Sequence, residues 1–133
     1  MKLFLDTANV SDISNAASTG LIDGITTNPT LIMKSGRSPY DVYREIALLG
    51  VDDISMEVVG HNAADYVAQG CDLVDKFQEK ATIKLPCTPD GLMACKELAK
   101  KHIRVNITLI FNSAQAVLAA KAGATYVLSL IHI

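Results

Sequence analysis

The stretch that decides the fold, residues 82–110, reads TIKLPCTPDGLMACKELAKKHIRVNITLI. Its first four residues and its last seven are mainly apolar runs, typical of buried strands. Between them, Thr88-Pro89 predicts the start of a helix that extends to Lys101, because threonine is a good helix cap and proline favours the first helical position. The stretch therefore predicts a strand, a helix and a second strand parallel to the first.

The same alternation continues in both directions along the chain. Strands are predicted at residues 2–5, 24–27, 54–59, 82–85, 104–110 and 125–128. Helices are predicted over residues 9–18, 38–50, 62–80, 88–101 and 112–123. No linker or low-complexity segment divides these five βα units and the sixth strand, so a single domain over residues 1–133 is expected, with a parallel sheet covered by helices.

Two parallel architectures compete, a doubly wound sheet and a (β/α)8 barrel. The turn after the first strand, Asp6-Thr7-Ala8-Asn9, lacks the glycine-rich phosphate loop that is typical of the doubly wound fold. A full barrel takes about 200 to 250 residues, and this chain has 133. The residues alone therefore leave both architectures open.

Composition indicates which partners and which cellular compartment to expect. With 12 basic and 14 acidic residues the formal net charge is −2, so no basic field favours nucleic acid. The apolar runs are far shorter than the ~20 residues that a membrane helix needs. The three cysteines are an odd number without a CxxC pair or a signal peptide, which predicts reduced thiols and a cytoplasmic location. No histidine has a second ligand at metal spacing, so no metal site is expected.

Single polar residues interrupt the strands or end them. Lys84 lies between Ile83 and Leu85, and Glu57 lies between two apolar residues of its strand. In a barrel, the carboxyl ends of the strands converge on one site. Five strands each place one or two polar groups near that end: Asp6, Asn28, Glu57, Lys84, and Asn106 with Thr108.

These residue types fit carbonyl chemistry on a polyol. Burial between apolar neighbours disfavours a charged ammonium, and the neutral amine of a lysine such as Lys84 is a nucleophile that forms Schiff bases with carbonyl substrates. A nearby Asp6 and Glu57 can move protons during carbon–carbon bond cleavage. Asn28 and Asn106 offer amides that can hold a sugar. Each signal taken alone has an ordinary structural explanation, such as a turn, a helix cap or a solvated strand face.

Several motifs together resemble the transaldolase family, in particular its short bacterial and archaeal type, which includes fructose-6-phosphate aldolase. The resemblance covers residues 1–127. Its most specific pieces are Thr26-Thr27-Asn28-Pro29 and Lys84-Leu85-Pro86, in this order and at this spacing. The other matching stretches are Leu5-Asp6-Thr7-Ala8, Ser55-Met56-Glu57-Val58, Asp90-Gly91-Leu92 and Asn106-Ile107-Thr108-Leu109-Ile110-Phe111, followed by Gln115-Ala116.

The resemblance implies a (β/α)8 barrel, here an incomplete one of five βα units plus a sixth strand, and aldol chemistry without metal or cofactor. Lys84 falls on the family's Schiff-base lysine and Asp6 on its acid/base. Glu57 and Thr108 fall on the pair that holds the catalytic water. The family's substrate-binding residues fall on Thr26, Asn28 and Asn106.

The resemblance also implies sugar phosphates as substrates, a place in the pentose phosphate pathway of carbohydrate metabolism, and a homo-oligomer. Glu57 and Asn106 indicate the branch of the family, because the aldolase members resemble this chain less at both positions, with glutamine for the glutamate and no asparagine before the threonine. We therefore expect transfer of a dihydroxyacetone unit between sugar phosphates, with its free release as the alternative.

The resemblance stops at residue 128. The family continues with a motif such as Ser-Pro-Phe-Val-Gly-Arg, whereas this chain reads LSLIHI over residues 128–133. Ser129 is one place late for the family's phosphate-binding serine, and the arginine is absent. We therefore expect a truncated or frameshifted reading of a longer transaldolase, poorly soluble or self-associating when made alone. Two other hypotheses stay open: a non-catalytic assembly fragment that completes a barrel with another half-barrel, and a complete small doubly wound protein.

Overall fold

The computed structural model of the protein describes residues 1–130, which form two compact units. The first unit contains Met1–Glu57 together with Phe77–Ala81, and the second contains Val58–Lys76 and the chain from Thr82 onward. Both units alternate strands and helices, as the sequence predicts. In the described part of the chain, residues 1–130, no helix has the length and apolar character needed to cross a membrane.

The first unit contains a parallel three-stranded arrangement. Strands β1 (Phe4–Asp6), β2 (Gly24–Thr26) and β3 (Asp53–Glu57) lie side by side in chain order. Helices α1 (Val10–Ala17), α2 (Pro29–Lys34) and α3 (Pro39–Ala47) connect them. The core consists of fully buried aliphatic side chains from strands and helices alike: Ile13, Ile25, Ile32, Val42, Ile46 and Ile54.

The second unit repeats the pattern. Helix α4 (Ala63–Phe77) lies in this unit up to Lys76, and the short 3₁₀ turn that follows it (Gln78–Lys80) belongs to the first unit. Strand β4 (Ala81–Pro86) lies in the second unit from Thr82 onward, followed by α5 (Pro89–Lys100), β5 (Val105–Ile110), α6 (Ser113–Ala122) and β6 (Tyr126–Ser129). Strands β4, β5 and β6 are parallel and adjacent in chain order. The core of this unit consists of Leu73, Ile83, Leu85, Cys95, Leu98 and Ile107.

Local capping explains where the helices begin. The side-chain oxygens of Asn28, Thr88 and Asn112 each accept a hydrogen bond from the backbone N–H three residues later, at 2.9, 3.1 and 2.9 Å. Each such bond satisfies an amide that the helix itself leaves open. Proline occupies the first turn of α2, α3 and α5, where a missing N–H costs nothing.

The six predicted strands are all present, with ends that differ by a few residues from the expected ones. Helix α2 is absent from the sequence prediction, because Asn28-Pro29 is also a common turn and the helix is only six residues long. The single domain over residues 1–133 stays a prediction. Residues 128–133 are expected from the sequence to depart from the family pattern, and the last three of them lie outside the described residues.

Candidate functional site

A carboxylate and a hydroxyl meet at the carboxyl end of the first unit's sheet. Asp6 and Thr26 are the last residues of β1 and β2, and they are register partners in the sheet. The Thr26 hydroxyl donates to Asp6 Oδ1 at 2.8 Å. Thr26 is buried, with 7% of its surface exposed, whereas Asp6 is exposed. A buried donor on the neighbouring strand thus orients a carboxylate that solvent or a ligand can reach.

Asn28 follows β2 by two residues and is half-buried. Its Oδ1 accepts from the backbone N–H of Leu31 at 2.9 Å, which caps α2. The side-chain oxygen therefore has a structural role, and the amide nitrogen Nδ2 is the group that could donate to a hydroxyl or carbonyl of a bound sugar. Both functions fit one side chain, since capping uses only the oxygen.

A buried tyrosine, which the sequence analysis did not single out, lies beneath the ends of β2 and β3. The Tyr43 hydroxyl hydrogen-bonds to the backbone of Glu57, the last residue of β3. It also lies 3.5 Å from the Thr27 hydroxyl, which in turn lies 3.2 Å from the carbonyl oxygen of Ser55. The contact joins α3 to both strand ends next to candidate site residues.

Burial raises the pKa of the Tyr43 phenol, and its hydrogen bonds with Thr27 and the Glu57 backbone offset only part of that rise. The phenol therefore stays protonated at neutral pH. The available sequence signal was a tyrosine within the apolar face formed by Val42 and Ile46 on α3, which is also the ordinary pattern of a core residue.

The second unit brings three predicted site residues onto one face of its sheet. Lys84 on β4 and Asn106 on β5 are register partners, and Pro86 is the partner of Thr108. Because side chains alternate along a strand, Asn106 and Thr108 share a face, and Lys84 shares it through its register. All three are buried, with 4, 3 and 5% of their surface exposed for Lys84, Asn106 and Thr108.

The residues adjacent to Lys84 in the strand belong to the core on the opposite face of the sheet. Ile83 and Leu85 are fully buried on either side of it. Burying an ammonium group is costly, so a lysine at such a position calls for a reason beyond packing. An amine that reacts as a nucleophile supplies such a reason.

The motif Asp90-Gly91 positions the connection that follows β4. Asp90 Oδ1 accepts from the backbone N–H of Ala63 at 3.1 Å, which ties the start of α4 to the start of α5. A Cβ on Gly91 would lie 2.0 Å from the carbonyl oxygen of Pro86. Only glycine therefore allows α5 to begin so close to the end of the strand that carries Lys84.

The remaining candidates have simpler explanations. Cys95 is fully buried, and burial raises the pKa of its thiol to about 11, so the thiol is protonated at neutral pH and fills the core. Within residues 1–130 no group of three or more histidine, cysteine, aspartate or glutamate side chains is arranged to hold a metal ion.

The structure thus assembles the predicted residues in two sets, each within one unit. Asp6 contacts Thr26 directly in the first unit, where Asn28 and Glu57 lie near the ends of β2 and β3. The second unit assembles the lysine, amide and hydroxyl of the other set: Lys84, Asn106 and Thr108. An oriented carboxylate and a buried lysine beside an amide and a hydroxyl are the groups required for imine-forming aldol chemistry.

Comparison with known proteins identifies the family and the relatives of the chain. Residues 3–129 match the family model described as transaldolase/fructose-6-phosphate aldolase. A probable transaldolase of Geobacter sulfurreducens is 51% identical over 127 residues, and one of Paracoccus denitrificans is 48% identical over the same length. These alignments cover 96% of this chain but 59 and 58% of the relatives. The chain therefore spans about three-fifths of the length of the curated relatives that it matches.

Solved structures establish the fold class independently of sequence identity. Two variants of Sulfolobus solfataricus 2-keto-3-deoxygluconate aldolase superpose with TM-scores of 0.63 and 0.58, each at 16% identity. The superpositions cover 100 and 94% of this chain and 54 and 52% of the aldolase chains. The predicted fold class, an α/β chain of the (β/α)8 barrel type that matches part of such a barrel, is confirmed.

Proposed function

Since the chain belongs to the transaldolase/fructose-6-phosphate aldolase family, we propose that it carries the catalytic groups of a transaldolase. The reaction transfers a dihydroxyacetone unit from a ketose phosphate to an aldose phosphate through a Schiff base on Lys84. The single observation that carries the proposal is the burial of Lys84 between Ile83 and Leu85 with Asn106 as its register partner.

The bond changes begin at the lysine. The amine of Lys84 attacks the C2 carbonyl of the ketose phosphate, and loss of one water from the adduct forms the imine. The family resemblance assigns to Glu57 and Thr108 the binding of that water and of the water that later hydrolyses the imine. Asp6 then takes the proton of the C4 hydroxyl as the C3–C4 bond breaks, and its contact with Thr26 orients the carboxylate.

Cleavage releases an aldose phosphate and leaves a three-carbon enamine on the lysine. The amides of Asn28 and Asn106 and the hydroxyl of Thr26 hydrogen-bond the hydroxyls of this unit. An acceptor aldose phosphate then enters, the enamine attacks its carbonyl carbon, and Asp6 returns the proton to the new alkoxide. Hydrolysis of the imine frees the ketose phosphate product.

The test is borohydride trapping of the imine, read by intact mass. Incubation with fructose 6-phosphate and borohydride is expected to add a reduced dihydroxyacetone or ketose adduct to the 14.2 kDa chain, with peptide mapping to Lys84. Lys84→Arg keeps a long basic side chain but cannot form the imine, so its mass stays unchanged. Lys100→Arg alters an exposed lysine on α5 and serves as the matched control. A wild-type chain without adduct, or an adduct that survives in Lys84→Arg, contradicts the proposal.

Free release of dihydroxyacetone is the second candidate, because the matching family model covers both activities. Erythrose 4-phosphate separates them. A transaldolase converts fructose 6-phosphate only when this acceptor is present, and makes a seven-carbon ketose phosphate. An aldolase releases dihydroxyacetone from fructose 6-phosphate at the same rate without the acceptor.

The family also leads us to propose a cytoplasmic homo-oligomer that acts on sugar phosphates. The three cysteines are free thiols, which supports a reducing compartment. Sedimentation velocity of the purified chain tests the oligomeric state, and a single species at the monomer mass contradicts it.

A further inference from the structure

Over the segment that pairs with β6, strand β5 contains one residue more than β6 does. Ile107 pairs with Val127, but the next paired residues are Ile110 and Ser129, so three steps along β5 match two steps along β6. The extra residue is Leu109, whose φ of 62° lies in the left-handed region. Its side chain is 43% exposed, whereas Thr108 before it and Ile110 after it are buried. Leu109 is therefore the centre of a β-bulge.

The bulge decides which side chain follows Thr108 on its face of the sheet. In a regular strand, position 110 would stand on the face that carries Asn106 and Thr108. Here Ile110 pairs with Ser129 and Ile107 with Val127, and those two partners are two positions apart and therefore share a face. Ile110 therefore stands on the face of Ile107, opposite the Lys84 face. The polar face thus ends at Thr108, with no isoleucine beyond it.

The bulge is held from both sides by backbone hydrogen bonds. The carbonyl oxygen of Thr108 accepts from the N–H of Cys87 at 2.9 Å, and that of Ile110 accepts from the N–H of Leu130 at 2.7 Å. A leucine is unfavourable at positive φ, because its Cβ crowds the backbone, and glycine is the residue that adopts this conformation without cost. Strained residues of this kind persist where the surrounding structure fixes them, often beside functional groups.

We propose that Leu109 is a positioning residue for Thr108. Its left-handed bulge ends the polar face at Thr108 and so directs the Thr108 hydroxyl toward the water that is lost when the imine forms on Lys84. This role rests on the proposed transaldolase chemistry. Leu109 acts through the backbone of its neighbour, since its own side chain is turned toward solvent.

The test exploits an isomeric pair of side chains. Leu109→Ile keeps the same atoms and the same apolar character, but its branched Cβ strongly disfavours a positive φ. Leu109→Gly removes the side chain and adopts that φ freely. Leu118→Ile, at an exposed position of α6, controls for the exchange itself.

The first readout is the rate of borohydride-trapped adduct with fructose 6-phosphate, measured well below the unfolding temperature of each variant. We expect the rate in Leu109→Ile to fall about tenfold, because small displacements of a catalytic group cost one to two orders of magnitude. The ketose phosphate concentration for half-maximal trapping should stay within about twofold, since the residues that bind the sugar do not move. Leu109→Gly and Leu118→Ile should retain the wild-type rate. A wild-type rate in folded Leu109→Ile, or a tenfold loss in Leu109→Gly, overturns the proposal.

The second readout is amide hydrogen exchange at Cys87, whose N–H bonds to the Thr108 carbonyl. Protection should fall in Leu109→Ile and stay unchanged in Leu109→Gly. If the wild-type chain forms no adduct, the transaldolase proposal fails. The amide hydrogen exchange at Cys87 then still tests whether the bulge holds the Thr108 backbone in place. Equal protection in both variants overturns the positioning role whatever the activity.

Discussion

Replacement of Gly91 by alanine should destabilise the chain, although alanine is the better helix former. Gly91 lies in the first turn of α5, and an added Cβ would stand 2.0 Å from the carbonyl oxygen of Pro86. Real Cβ atoms keep at least 3.0 Å from such neighbours, and this neighbour is backbone rather than a side chain that can rotate. Helix α5 or the end of β4 must therefore move by roughly an ångström.

The magnitude follows from two opposing terms. Alanine gains about 1 kcal/mol over glycine in a helix. Overpacking against atoms that cannot yield costs about 1–3 kcal/mol and sometimes more, and the severe contact places Gly91→Ala at the upper end or above it. We expect a net loss of about 2 kcal/mol in the free energy of unfolding, because the steric term exceeds the helix propensity.

Urea denaturation followed by circular dichroism measures this loss, with Gly70→Ala as the matched control. Gly70 lies inside α4, where the atoms nearest to an added Cβ would be those of the Leu98 and Ile83 side chains, at 3.2 to 3.3 Å. Those side chains can shift by a few tenths of an ångström, so the change should lie within about 1 kcal/mol of zero. Equal stability of Gly91→Ala and wild type would refute the steric reasoning.

Three further predictions concern buried polar groups. Burial raises the pKa of the Cys95 thiol to about 11 from 9.0, so its contribution to stability is complete below pH 9 and is lost as the pH rises toward 11. Urea denaturation at pH 8 and pH 11 should show wild type losing about 2 kcal/mol more than Cys95→Ala, and identical losses would contradict this. Tyr43→Phe should lower the free energy of unfolding by about 1–2 kcal/mol, because the ring still packs edge-on against Phe77 while the hydroxyl contacts disappear. An unchanged free energy of unfolding in urea denaturation would contradict a stabilising role of the hydroxyl contacts. Thr26→Val removes the hydroxyl that orients Asp6 and should lower the turnover rate with fructose 6-phosphate and erythrose 4-phosphate about tenfold; an unchanged rate would show that the bond is dispensable.

The strands and most of the helices were predictable, because their signals lie within a few residues of each other. Thr88-Pro89 and Asn112 start helices by bonding to amides only three residues away. Helix α2 was not predicted, because its local signal is ambiguous. Asn28-Pro29 suits a turn and a helix start equally well, and only the tertiary fold selects between them.

The candidate site residues were predicted by type and position, but not their contacts. The hydrogen bond between Thr26 and Asp6 joins residues 20 apart in the chain, and the register of Lys84 with Asn106 joins residues 22 apart. The role of Tyr43 depends on an approach of α3 to two strand ends, which no local pattern encodes.

By itself the sequence determined the alternation of strands and helices, the likeness to one family, and the identity of the polar groups at the strand ends. Only the tertiary structure decided that Leu109 is the bulged residue, since a bulge is a mismatch in register between two strands and has no meaning within one of them. The same holds for the need for glycine at position 91, which arises from the approach of a carbonyl oxygen five residues earlier. Local sequence carries backbone preferences and hydrophobic periodicity, whereas close approach and register are set by the packing of elements distant in the chain.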